Sequence, residues 1–309
     1  MVSGILQPRP RFFPNALLRP GTLFVVSPTV PGLTRILSDL HYGDRASRLV
    51  SLGQLRPLLD GPDKIILNGD TLDTRHGPYP ERTARARAET AEFFDAYAVT
   101  RVTGNHDPDI SAHHSLDLAD GRVFVTHGDI LFADIVPWSR DAAALGARIE
   151  AGLSALASTE RGQLAARLTV FRAACAALPQ RHQAESNPFI YAARLAADTV
   201  WPPLRSLRIL RAWRETPARA AALAAAHRPA ARFMLLGHTH RPGVWRTPSG
   251  LTVINTGALC RPFGSLAVDL TADLMRVRRI ELRAGEFHAG ATVAEFALAE
   301  PRPSAELPP

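Results

Sequence analysis

Short apolar and β-branched runs recur along the chain, each closed by a polar cluster: TLFVV (22–26), TRIL (34–37), KIIL (64–67), AVTRV (98–102), RVFVT (122–126), RFMLL (232–236) and LTVI (251–254). Each has strand length and ends at a loop signal. Between KIIL and AVTRV, the stretch ERTARARAETAEFFDAYA is rich in Ala, Glu and Arg and predicts a helix. SLAVDL (265–270) and MRVRRIEL (275–282) predict a late hairpin. Strands alternating with helix indicate an α/β or α+β layered fold. From 136 to 228 the theme breaks into Ala-, Leu- and Arg-rich sequence that reads as several helices. The strand pattern resumes at RFMLL, so this segment is an insertion. The expected organisation is a domain in two parts, 22–135 and 229–285, around a helical cap at 136–228. Residues 1–21 and 286–309 are read as partly disordered extensions, the tail ending in the proline-rich EPRPSAELPP.

The strand ends carry the candidate chemistry. TRIL leads into Ser38-Asp39-Leu40-His41, and KIIL into Asn68-Gly69-Asp70-Thr71-Leu72-Asp73. AVTRV leads into Gly104-Asn105-His106-Asp107, RVFVT into His127-Gly128-Asp129, and RFMLL into Gly237-His238-Thr239-His240. Five of the eleven histidines occupy these positions. Sites form where strand carboxyl ends converge, because loops there are free to carry polar groups. A single Asp or His after a strand is most often a turn former. Five such pieces with complementary ligand types point instead to metal. Carboxylate, imidazole and carboxamide donors suit Mn²⁺, Fe or Zn²⁺, and the absence of cysteine argues against a closed structural zinc site.

The ordered set D-x-H, G-D-x-x-D, G-N-H-D, H-G-D and G-H-T-H resembles the calcineurin-like metallophosphoesterases over roughly 33–260, the insertion excepted. That resemblance implies two packed mixed β-sheets flanked by helices, a four-layer αββα sandwich with a helical cap. It also implies two divalent ions, Mn²⁺ first and Fe or Zn²⁺ as alternatives. Asp39, His41 and His240 would hold one ion, Asn105, His127 and His238 the other, and Asp70 would bridge them. In such sites a water between the ions is acidic enough to supply hydroxide near neutral pH. His106 would face the leaving group as general acid or transition-state stabiliser, with Asp73 orienting it.

The insertion bears on substrate. PPLRSLRILRAWRET places Arg205, Arg208, Arg211 and Arg214 at every third position, in step with Leu204, Leu207, Leu210 and Trp213. On a helix this makes a basic ridge beside an apolar one, fit for a membrane interface, for an amphipathic anion, or for plain packing with arginines in water. Arg205, Arg208 and Arg211 are therefore candidate substrate-binding residues. A helical insertion between H-G-D and G-H-T-H-R-P is similar to that of the UDP-2,3-diacylglucosamine pyrophosphohydrolases. That likeness implies cleavage of a nucleotide–lipid pyrophosphate to UMP and diacylglucosamine 1-phosphate. Those enzymes typically carry arginine after Gly-Asn, whereas this chain has His106, so a phosphodiesterase or phosphatase acting on a soluble nucleotide, nucleic acid or phosphoprotein stands beside it. A non-catalytic membrane or nucleic-acid scaffold is the third reading, and the intact ligand set opposes it.

Composition changes this little. The net charge of +7 sits in the insertion, where 13 arginines face 6 acidic residues between Ser139 and Arg228. Its aromatics are too scattered for a stacking platform, which disfavours nucleic acid as a partner. Cys175 and Cys260 form no metal or disulfide pattern and suit a reducing compartment. With no secretory pattern and no apolar run of 18, the expected location is cytoplasmic, with peripheral contact at the inner membrane face through the cap.

Overall fold

The computed structural model describes residues 32–180, 187–200 and 204–298. The run at 22–26, the Pro202-Pro203 break and the tail from 299 lie outside the described residues.

Side-chain alternation builds the layers. In β1 (Thr34–Leu37) Ile36 faces one way and Leu37 the other; in β5 (Val123–Thr126) Val123 and Val125 oppose Phe124. This period of two gives every central strand two apolar faces. With β2 (Lys64–Asn68), β3 (Val99–Val102), β9 (Leu266–Leu270), β10 (Leu274–Arg283) and β11 (Glu286–Ala297), β1 forms a six-stranded mixed sheet ordered β11-β10-β9-β1-β2-β3. The second sheet is ordered β4-β5-β6-β8-β7, where β4 is Ser115–Leu118, β6 Phe233–Leu236, β7 Gly243–Arg246 and β8 Thr252–Asn255. Parallel pairing of β1 with β2 and β3, and of β5 with β6 and β8, sends their carboxyl ends the same way within each sheet.

Three apolar clusters hold four layers together. Ile36, Ile66, Val125, Leu235, Ile254 and Val268 meet between the sheets. On the outer face of the first sheet, Leu37, Ile65 and Leu67 pack with Leu58 of α1 (Arg56–Leu59) and Phe94 of α2 (Pro80–Asp95). On the outer face of the second, Phe124, Met234 and Leu236 meet the inserted helices α3 (Ala142–Ala155), α4 (Leu164–Ala176) and α6 (Arg205–His227) through Leu145, Leu168, Phe171 and Ala220. A further helix, α5 (Pro188–Val200), precedes α6. The fold is thus the two-sheet, helix-flanked sandwich expected.

Three strands escaped the reading of the sequence. In β4, SLDL has only two apolar residues, and β7 begins at the glycine of a Pro-Gly pair. Residues 286–297, read as part of an extension, instead form β11, the longest strand. Register shifts in its pairing with β10, between Val277 and Ile280, break the alternation that would have marked it. No helix among the described residues is long and apolar enough to cross a membrane.

Candidate metal centre

The loops after β1, β2, β3, β5 and β6 are laced together by their backbones. Asp39 N–H donates to Gly69 O (3.0 Å), His41 N–H to Asp70 O (3.0 Å), and Gly237 N–H to His127 O (2.8 Å). Asp39, His41, Asp70, His238 and His240 all adopt positive φ, between 49° and 64°. Left-handed backbone is uncommon outside glycine and costs energy, and it persists where surroundings over-determine it. Here it turns five side chains inward together. The glycines before them are needed for proximity: a Cβ on Gly104 would lie 2.2 Å from Asp70 Oδ1, and one on Gly69, at φ +81°, 2.4 Å from His127 Nδ1.

Two groups of donor atoms result. In the first, Nε2 of His41 and His240 approach to 3.1 Å, His240 Nε2 lies 3.3 Å from Asp39 Oδ1, and His41 Nε2 lies 3.8 Å from Asp39 Oδ1 and Asp70 Oδ2. One ligand atom from each of these four residues falls within 4.8 Å of every other. In the second, His127 Nε2 lies 3.3 Å from Asp70 Oδ2 and 3.2 Å from Asn105 Oδ1, and His238 Nδ1 lies 2.7 Å from the same Asn105 oxygen. Asp70 Oδ2 therefore faces both groups, while its Oδ1 accepts the His106 backbone N–H at 2.8 Å.

Tautomers make the case for a cation. His127 Nδ1 faces Asn68 O at 2.9 Å and His238 Nε2 faces Ile135 O at 2.8 Å. Each carbonyl takes the ring's N–H, so the other nitrogen presents a lone pair to carboxylate or carboxamide oxygens. Such a carbonyl brace on the far nitrogen is the usual support of a metal-binding histidine. Acceptors converging on acceptors repel unless a proton or a metal ion lies between them, so the donor set fits divalent cations. Without a cation, burial opposes a charged His127, but Asp70 outweighs it and pushes the pKa up to about 10. Burial and His127 hold His238 near 4, and burial and His240 hold His41 near 3.

Beside the cluster, His106 Nδ1 lies 2.9 Å from Asp73 Oδ2, and the ring sits 5.1 Å from that of His41. Burial and Arg75 lower the His106 pKa, yet Asp70 and Asp73 overcome both and raise it. Two residues went unassigned in the sequence. Asp107 accepts from Asp70 N–H (2.9 Å), Thr71 N–H (2.8 Å) and Gly104 N–H (2.7 Å), clasping two ligand loops. Arg75 donates to both Asp73 oxygens, from Nε at 2.9 Å and Nη2 at 2.6 Å. The position of Asp107 in the G-N-H-D motif was its only signal; Arg75 had none.

A cleft of 310 Å³ opens over the donors, lined by His41, Asp70, Asn105, His106, His238 and His240. Arg75, Arg140, Arg205 and Arg261 also line it, with an apolar and aromatic wall that includes Ile135, Trp138, Leu178 and Trp213. The arginine ridge is split. Arg205 reaches the cleft with Ile209 and Trp213 one and two turns on, but Arg208 and Arg211 line a separate hollow with Phe132, Ile149 and Leu153. At about 100° per residue, each three-residue step falls back by about 60°, so the ridge winds off the cleft face. Arg208 and Arg211 are thus not beside the candidate centre, contrary to expectation. Arg211 instead pairs with Glu215 at 2.6 Å on the exposed surface.

In comparisons with known proteins, residues 34–146 match the family model for calcineurin-like phosphoesterase. No curated protein is significantly similar in sequence. Among solved structures the chain is similar to a predicted phosphoesterase from Streptococcus pneumoniae, at 14% identity over 86% of this chain and 97% of that one, with a TM-score of 0.38. Vacuolar Protein Sorting 29 from Cryptosporidium parvum gives 14% identity, 87% and 100% coverage and a TM-score of 0.38. A dimetal phosphatase from Danio rerio gives 14%, 80% and 95%, and 0.38. Likeness this distant carries no argument about activity. Residues 34–146 thus match the calcineurin-like phosphoesterase family, within a two-sheet fold whose Asp and His donors could hold metal ions, and this supports a metal-dependent phosphoester hydrolase.

Proposed function

We propose that the protein hydrolyses a phosphodiester or pyrophosphate bond at a two-metal centre. The observation that carries this is Asp70 Oδ2, which faces His41 on one side and His127 on the other. Asp39, His41 and His240 would hold one ion and Asn105, His127 and His238 the second, with Asp70 shared. Two divalent ions there, Mn²⁺ first among candidates, would clamp phosphoryl oxygens and supply an acidic water.

The chain's own residues do the rest. Asp107 fixes the Asp70 loop from three backbone donors. Asp73 accepts the Nδ1 proton of His106, which leaves Nε2 for the leaving group. As hydroxide, left when that water gives a proton to solvent, bonds to phosphorus and the bond to the leaving oxygen breaks, His106 gives that oxygen its proton. Asp70 and Asp73 raise the His106 pKa and so favour the protonated ring.

For substrate, cleft arginines beside apolar and aromatic residues support an amphipathic anion, and UDP-2,3-diacylglucosamine is the specific reading. Exposed Leu207 and Leu210, beside Arg208 and Arg211 along α6, support peripheral contact with an anionic membrane. His106 favours the second reading, a broader phosphodiesterase, because a proton-donating histidine serves any poor leaving group. Mn²⁺-loaded protein is expected to release UMP from UDP-2,3-diacylglucosamine and to cleave bis-p-nitrophenyl phosphate. Cleavage of the artificial diester alone would remove the lipid; cleavage of neither would remove the hydrolase reading.

A further inference from the structure

His240 is the least enclosed of the candidate imidazole ligands. Its side chain is 25% exposed, against 5% for His41 and 0% for His127. His127 and His238 each brace the far ring nitrogen on a backbone carbonyl. The polar contacts of the His240 ring among the described residues run through Nε2 alone. Something else must orient it, because its backbone sits at φ 56°, where a residue stays only if its surroundings hold it there.

Two elements grip that loop. From β8, Asn255 Nδ2 donates to Gly237 O at 2.6 Å and to Thr239 Oγ1 at 3.0 Å. From cap helix α6, the indole Nε1–H of Trp213 donates to Thr239 O at 2.9 Å. This carbonyl belongs to the planar peptide unit leading into His240, so holding it limits how the histidine leaves the backbone. The Trp213 ring also meets Phe263 edge-on at 6.1 Å, and Phe263 meets the His240 ring at 5.8 Å. Edge-on ring contacts of this kind favour particular orientations. A half-buried tryptophan that served only to pack α6 could turn its N–H to water.

We propose that Trp213 is a positioning residue: from the cap it holds the Thr239–His240 peptide unit and, through Phe263, the His240 ring, so that Nε2 is presented to the ion shared with Asp39 and His41. The inserted cap then completes the metal centre as well as covering the cleft. The proposal rests on the two-ion reading above.

Free Mn²⁺, counted by electron paramagnetic resonance as full-length protein is titrated without substrate, is the readout. Trp213→Ala is expected to weaken one of two bound ions about tenfold, as loss of a ligand's outer support does, and to leave the other unchanged. Trp213→Phe, which keeps a ring beside Phe263 but has no N–H, should fall between. In a His240→Ala background, which keeps one ion, Trp213→Ala should weaken that ion no further. Unchanged Mn²⁺ affinity in Trp213→Ala, or weakening of the ion that His240→Ala retains, would overturn the proposal and leave Trp213 as packing of the cap. Should Trp213→Ala not fold, Trp213→Phe reads the same constants. If the wild type takes up no Mn²⁺ the two-ion reading falls, and the His240 ring signal in NMR of the metal-free protein decides the rest. That signal should move in Trp213→Phe; one that stays in place would overturn the positioning role.

Discussion

Arg172 Nη2 lies 2.5 Å from Asp129 Oδ1, and the two side chains are 4% and 0% exposed. Arg172 belongs to α4 of the insertion and Asp129 follows His127 by two residues, so this pair ties the cap to a ligand loop. Burial opposes the charge of Asp129, but Arg172 overcomes it and holds the carboxyl below its ordinary range. Arg172 Nε and Nη1 and Asp129 Oδ2 have no further partner among the described residues. Removing one member of such a pair leaves an uncompensated buried charge. Arg172→Met is expected to lose about 3–5 kcal/mol in urea denaturation, and the double variant Arg172→Met with Asp129→Leu to lose less. A double variant as damaged as the single would show that shape, not charge, sets the cost.

The split of the arginine ridge separates two surfaces. Arg205→Ala should raise KM about tenfold for an amphipathic pyrophosphate, as loss of one charged contact does. Arg208→Ala with Arg211→Ala should leave hydrolysis of a small diester unchanged, because both residues line the other hollow. Arg211 and Glu215 pair on the exposed surface, where such pairs are screened, so stability should hardly move. Equal KM changes in both variants would contradict the placement of α6 over the cleft.

His114, which is not one of the candidate donors, gives stability a pH dependence of its own. Burial, then the positive charge of Arg172, push its pKa down to about 4, and its Nδ1 lies 2.8 Å from Thr103 Oγ1. Above pH 6.5 the ring is neutral in folded and unfolded chains and the effect is nil. Between 6.5 and 4 the unfolded chain takes a proton that the folded one refuses, so stability falls as pH falls. His114→Gln should remove this loss, narrowing the difference between pH 7 and pH 5 by about 2 kcal/mol. Denaturation midpoints that fall in parallel for both proteins would show that His114 does not titrate this way.

What was legible in the sequence follows from what is local. Strands with two apolar faces, such as KIIL and RFMLL, announce themselves, and the polar residues closing them named the candidate donors in advance. Nothing local announced that Asp39, His41, Asp70, His238 and His240 share left-handed backbone, because that conformation is imposed by bonds between loops. Asp107 showed only as a motif position and Arg75 not at all, because the contacts of Asp107 with Asp70 and Thr71 and of Arg75 with His106 arise where the loop after β2 meets the loop after β3. The ridge from Arg205 to Arg211 misled because a spacing of three is near, but not equal to, the turn of a helix.

The central claim is that seven side chains hold two ions with Asp70 between them. Metal content of Mn²⁺-reconstituted protein, by plasma mass spectrometry after gel filtration, tests it most directly. The account predicts two ions per wild-type chain, one in His240→Ala and one in His238→Ala, and neither pair intact in Asp70→Ala. Two ions retained in either histidine variant, or none in the wild type, would contradict it.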